Sequence, residues 1–234
     1  MEAGPIGIIL LVLSKAKFLL LGLSKASTFL TMLLSFGLYW ELWGWKFALG
    51  FVLCIYIHEM GHVAALTRYG IHASAPMFIP GFGAMVRSAQ YPQTVGADAR
   101  VGLAGPLYGL GASIVCAILA FSTGAPIWAA LARSSAWLNL VNLAPLLFLD
   151  GARGFRALTK VHRFIVAATF GLMYFVTGDT VVMILGAISA FRGFSKDSPL
   201  EPDNSALQLF IFLIVTLSLL SMIPVPGVSS GIGL

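Results

Sequence analysis

Four histidines and four glutamates occur in the 234 residues. Three of these eight side chains fall within five positions, His58-Glu59-Met60-Gly61-His62. On a helix, residues four apart share a face, so both imidazoles can reach one metal ion. Glu59 sits beside the first histidine and can take a proton from a water held there. Zinc lowers the pKa of such a water to about 7 and polarises a carbonyl, so a hydroxide-like nucleophile exists at neutral pH. Chance places this pattern in on the order of one in a thousand chains of this composition. The bland alternative is a pair of core histidines satisfied by backbone carbonyls. It is weak here, because three ionisable side chains within one apolar span are costly and mark functional sites.

Two histidines do not complete a catalytic site, which normally has three protein ligands and one open position. His72 and His162 fall in expected loops and read first as ordinary solvated residues, and Asp98 and Asp179 are also loop residues. Asp150 is better placed, closing the run Asn142-Leu143-Ala144-Pro145-Leu146-Leu147-Phe148-Leu149-Asp150-Gly151. A helix C-terminal turn with Gly151 is its ordinary reading. Topology favours the ligand reading, because one returning helix separates the His58 span from the span before Asp150, and both then run the same way. His58 lies about 18 Å along its helix from Lys46, roughly 10 Å short of the far edge of a hydrocarbon core about 30 Å thick. Pro145 can break the later helix and let Asp150 fold back to that depth.

The elements that must position these groups are membrane helices. Of all residues 59% are apolar and 10% charged, with mean hydropathy +0.93. A soluble domain carries roughly 25% charged residues, so lipid is the main solvent for this chain. Apolar runs at 27–43, 46–67, 99–122, 125–148 and 205–223 read as spans, and 164–177 with 180–191 as a hairpin turning at Gly178-Asp179. Residues 5–24 read as an interfacial helix with snorkelling lysines or as a further span. No basic leader segment with a cleavage site is evident, so no removable signal peptide is expected. Cys54 and Cys116 lie inside apolar runs and read as small hydrophobes. The expected fold is an all-α polytopic membrane protein with about six transmembrane helices. Its expected parts are an N-terminal region 1–44, a core 45–160 and C-terminal helices 161–234.

The net charge of +5 reports orientation rather than nucleic-acid binding. If the second span runs outside to inside, only Lys46 and Arg133 of the 14 Lys and Arg lie nearer the far side. That asymmetry places the His pair toward the cytoplasm. The stretch 71–98 is Gly- and Pro-rich yet apolar around Met77-Phe78-Ile79. It reads either as a surface loop or as a re-entrant hairpin, since irregular backbone at membrane depth survives only against protein or a wet cavity.

Taken together, these motifs resemble the site-2 protease family of intramembrane zinc metalloproteases. Its HExxH motif corresponds to His58, Glu59 and His62, and its NxxPxxxLDG motif to Asn142, Pro145, Leu149, Asp150 and Gly151. The similarity covers roughly residues 45–160 and implies a three-helix catalytic core. It implies His58, His62 and Asp150 as ligands of Zn2+ and Glu59 as general base. Asn142 would hold the substrate or its oxyanion, although an amide pairing with a neighbouring helix is its plainer reading. A hairpin over 76–88 would present backbone to an unwound substrate, with Phe78, Gly81 and Gly83 as substrate-binding residues. The implied partners are a single-pass membrane-protein substrate and the lipid bilayer, with no nucleic acid. The implied location is a prokaryotic cytoplasmic membrane. No segment is long or polar enough for a PDZ or nucleotide-sensing module.

Two other classes use the same residues. A transporter would make His58, His62 and Asp150 a midplane ion site, but no inverted repeat or second polar span accompanies them. A silent scaffold would have no use for Glu59.

Overall fold

The structure, a computed structural model, describes residues 25–227 apart from positions 82, 87, 89, 91, 147 and 148. The expected interfacial helix or span at 5–24 lies outside the described residues. Helix makes up 74% of the described residues, so the chain is mostly helical as expected, and the only sheet among the described residues is one small hairpin. In chain order the elements are α1 (Lys25–Trp43), α2 (Trp45–Arg68), β1 (Met77–Ile79), β2 (Gly83–Met85), α3 (Val95–Thr123) and α4 (Pro126–Asn142), then α5 (Asp150–Arg156), α6 (Lys160–Thr177), α7 (Thr180–Gly193) and α8 (Asn204–Ser221).

Of these, α2, α3 and α8 are long and apolar enough to cross a membrane. The sequence led us to expect about six such helices. The others are shorter or less apolar, α4 having 17 residues and α7 having 14. The expected turn at Gly178-Asp179 forms as read. Gly178 leaves α6 with φ +66°, and the Asp179 carboxylate accepts the Val181 N–H at 2.8 Å to start α7.

The fourth apolar run departs from its expected length, because α4 stops at Asn142 rather than continuing to 148. Pro145 has no N–H for the Val141 carbonyl, its ring collides with that carbonyl, and it disfavours helical backbone at Ala144. The chain therefore reverses through short turns, Leu146 N–H to Ala144 O and Leu149 N–H to Leu146 O, and re-enters as α5 at Asp150.

Two larger apolar clusters hold most of the bundle. Leu103, Leu140, Phe155, Phe170, Phe210 and Leu213 join α3 through α8. Phe51, Ile55, Phe78, Ala112 and Leu131 join α2, α3 and α4 to the hairpin. Helices α2 and α3 approach backbone to backbone, so that a Cβ at Gly61 would overlap the Ala104 carbonyl.

Within 71–98 the chain forms a two-stranded antiparallel hairpin, with Met77 opposite Met85, Phe78 opposite Ala84 and Ile79 opposite Gly83. Gly81 turns it at φ +81°. Phe78 N–H leaves the hairpin to reach Thr31 Oγ1 on α1 at 3.2 Å. Phe78 and Ala84 are therefore a non-hydrogen-bonded pair, and the Ala84 N–H and C=O point outward from the other edge. Two residues on, with the same outward sense, the Val86 N–H donates to the Glu59 carboxylate of α2.

Candidate metal centre

His58, Glu59 and His62 occupy one and a third turns of α2, all buried, at 3%, 4% and 6% exposure. The four-residue spacing brings the two imidazoles together, with Nε2 atoms 3.2 Å apart. Asp150, at the first position of α5, closes the group. Its Oδ2 lies 3.0 Å from His58 Nε2 and its Oδ1 lies 3.2 Å from His62 Nε2. One ligand atom from each of the three residues lies within 4.8 Å of the others, and this is the one such group among the described residues.

The donor set fits zinc, which takes imidazole nitrogen and carboxylate oxygen in three-ligand sites. Second partners aim the rings, as is usual for metal-binding histidines. His62 Nδ1 donates to the Val101 carbonyl at 2.8 Å, and His58 Nδ1 lies 2.6 Å from Asn139 Oδ1. Both Nε2 atoms therefore face the centre. Room for them comes from Gly105 of α3, where a Cβ would overlap His62 Nε2 and approach His58 Nε2 to 2.7 Å. Glu59 Oε1 stands 4.0 Å from His58 Nε2, beside the group of three.

Asp150 owes its position to how α5 is moored. Gly151 packs against the Leu143 carbonyl, where a Cβ would overlap, and this accounts for glycine after the aspartate. Gly102 of α3 admits α5 in the same way, since a Cβ there would come 2.9 Å from the Asp150 carbonyl and 2.7 Å from Arg153 Cβ. Arg153 then donates to Asp98 at the start of α3.

The other residues considered for the third ligand all lie elsewhere. His72 is exposed in the loop after α2, and His162 lies in the first turn of α6. Asp98 is paired with Arg153, and Asp179 caps α7. Asn142 ends α4 half-buried, without a side-chain hydrogen bond among the described residues. Phe78 is fully buried, its side chain taken up by the apolar cluster, whereas Gly81 and Gly83 lie at the hairpin turn. Asn139 was missed. It is one of two amides in α4, and its one visible signal was its place three residues before the motif asparagine.

No curated protein and no solved structure matches the chain. Among protein-family models there is a match that spans α2, the hairpin and α3, together with His58, Glu59 and His62, and ends before Asn139, Asn142 and Asp150. Residues 46–133 match Peptidase family M50, the site-2 protease family, a family of membrane metallopeptidases.

Proposed function

We propose that this chain is an intramembrane zinc metalloprotease that hydrolyses peptide bonds within or near transmembrane segments of other membrane proteins. The observation that carries the reading is the Asp150 carboxylate set between both histidine Nε2 atoms, with Glu59 alongside. His58, His62 and Asp150 would hold the ion, which supplies Lewis acidity and an acidified water when bound. The Glu59 carboxylate receives the proton of the attacking water and delivers it to the leaving amide nitrogen. Asn142, one turn beyond Asn139 and free to donate, stabilises negative charge developing on the scissile carbonyl.

The substrate must be unwound, because helical carbonyls are already bonded within their own helix. The outer edge of β2 offers the Ala84 N–H and C=O to an extended segment, leaving its side chains loosely read. That edge leads directly to the Val86 N–H and Glu59, so a strand docked there is delivered to the base. The glycines at 81 and 83 keep the turn slim. Phe78 contributes by anchoring β1 rather than by touching substrate.

In this reading α1, α4 and the α6–α7 hairpin also lie in the bilayer, bringing the number of spans to about six. The charge asymmetry supports a centre nearer the cytoplasmic face, and the membrane in this reading is a prokaryotic cytoplasmic membrane. The decisive experiment compares membrane proteomes of cells carrying the parent chain or Glu59→Gln. Single-pass proteins should accumulate uncut in the variant, while the purified variant keeps its zinc. Retained cleavage by Glu59→Gln would overturn the mechanism, and zinc uptake into proteoliposomes without cleavage would favour an ion transporter.

A further inference from the structure

We infer that Asn139 is a positioning residue for His58, fixing which ring nitrogen carries the hydrogen and turning the other toward the metal. The inference rests on the zinc reading above. Asn139 is fully buried in α4, where an amide without partners would cost about 1–3 kcal/mol. It has two side-chain partners among the described residues. Its Nδ2 lies 2.7 Å from the Ser135 carbonyl oxygen and its Oδ1 lies 2.6 Å from His58 Nδ1.

Donor and acceptor logic then leaves a single arrangement. The Ser135 carbonyl cannot donate, so the amide end facing it must be the NH2. The amide oxygen therefore faces His58, and since that oxygen cannot donate, the hydrogen must be on His58 Nδ1. In the neutral ring Nε2 is left with its lone pair, and Nε2 is the atom beside Asp150 Oδ2. The Val101 carbonyl imposes the same arrangement on His62. The two rings thus differ in one respect: His62 is oriented by backbone, His58 by a side chain.

The surrounding helices are shaped for this amide. A Cβ at Gly109 of α3 would overlap the whole Asn139 amide group. One turn away, Ser113 Oγ donates to the Gly109 carbonyl at 2.8 Å and lies 2.9 Å from Ser135 Oγ, bracing α3 against the part of α4 that orients the amide. Gly102, Gly105 and Gly109 form one face of α3 that receives, in turn, α5, the imidazoles and Asn139.

The test measures zinc affinity of the full chain in detergent by chelator competition, together with the visible absorption of the Co2+-substituted protein. Asn139→Leu removes the acceptor at similar volume, and should weaken zinc binding by about 10–100-fold and shift the Co2+ bands, with helical circular dichroism unchanged. Asn139→Ser is smaller, makes no new overlap with Gly109 and cannot reach His58. It should weaken binding likewise, and it decides the matter if the leucine variant does not fold. Asn139→Asp keeps an acceptor against Nδ1–H and should bind zinc more tightly than either. A purely structural asparagine would alter unfolding temperature and leave zinc affinity and the Co2+ spectrum alone, and that result overturns the inference. A parent chain that binds no zinc would overturn the protease reading and this one with it. A parent that binds zinc beside equally competent variants overturns only the role of Asn139.

Discussion

Arg153 donates through both Nε and Nη2 to one oxygen of Asp98, at 3.0 and 2.6 Å. The pair spans 55 residues of sequence and ties α5 to the first turn of α3. Because Arg153 lies one turn after Asp150, the pair fixes the helix that carries Asp150 without entering the His58–His62–Asp150 group. Arg156 adds a longer contact to the same carboxylate, at 3.9 Å.

Replacing Arg153 by Met should therefore act on metal binding through Asp150. Losing charged hydrogen bonds of this kind costs about 1.5–3 kcal/mol, and part of that loss should appear as freedom of α5. The expected outcome is a lower unfolding temperature together with weaker zinc binding. Adding Asp98→Asn, which removes a charge left with only the longer Arg156 contact, should restore stability more than zinc affinity. Thermal unfolding and chelator competition on the two variants check this.

Two glycines of α3 offer a matched comparison. A methyl group at Gly105 would overlap the His58 and His62 imidazoles, whereas one at Gly111 would meet nothing within 4 Å. Gly111→Ala should be neutral or stabilising by about 0.5–1 kcal/mol, since alanine is the better helix former. Gly105→Ala should abolish zinc retention and cleavage while leaving helical content unchanged. Metal analysis of the two purified proteins separates a local steric effect from a general intolerance of α3 to substitution.

These contacts also mark how far the sequence could be read. Hydropathy located the helical runs because membrane helices are encoded by composition. His58, Glu59 and His62 were legible because their spacing is set within one helix, and Pro145 signalled the fold-back that brings Asp150 to them. Asn139 was not legible, because its partner lies 81 residues away in sequence and its place one turn before the motif asparagine does not name that partner. The Arg153–Asp98 pair was hidden for the same reason, and Asp98 read as a loop residue. The Gly102, Gly105 and Gly109 spacing was visible at helical period, but what each glycine makes room for depends on tertiary packing alone.

If His58, His62 and Asp150 bind zinc, the ion must stabilise the folded chain by mass action. At free zinc one hundred times the dissociation constant, the gain is about 2.7 kcal/mol. Unfolding temperature should rise with zinc concentration in the parent and fall back on adding a chelator. Asp150→Ala should abolish that dependence, and Glu59→Gln should keep it, because Glu59 stands beside the ligands. Zinc-independent unfolding of the parent chain would exclude the centre.

A separate pH dependence belongs to the loop after α7. Arg163 is fully buried and donates to Asp197 Oδ1 at 2.7 Å, while Arg192 donates to Asp197 Oδ2 at 2.9 Å. The hydrogen bond and charge of Arg163, then those of Arg192, hold the Asp197 carboxyl below its usual range. A carboxyl lowered in the folded state contributes stability that is fully present above its unfolded pKa and is lost as pH falls through the folded one. Below the ordinary carboxylate range the anchor between α6 and this loop should therefore weaken, leaving the buried Arg163 guanidinium with its bonds to the Leu158, Arg192 and Asp197 carbonyls. Asp197→Asn should lower the unfolding temperature at neutral pH and flatten its decline toward acid, with zinc affinity unchanged. Asp197 is half exposed, so the difference between variant and parent should shrink as salt is added. Unfolding scans from neutral to acidic pH, at low and high salt, measure both effects, and an acid decline as steep in Asp197→Asn as in the parent would assign the sensitivity to other carboxylates.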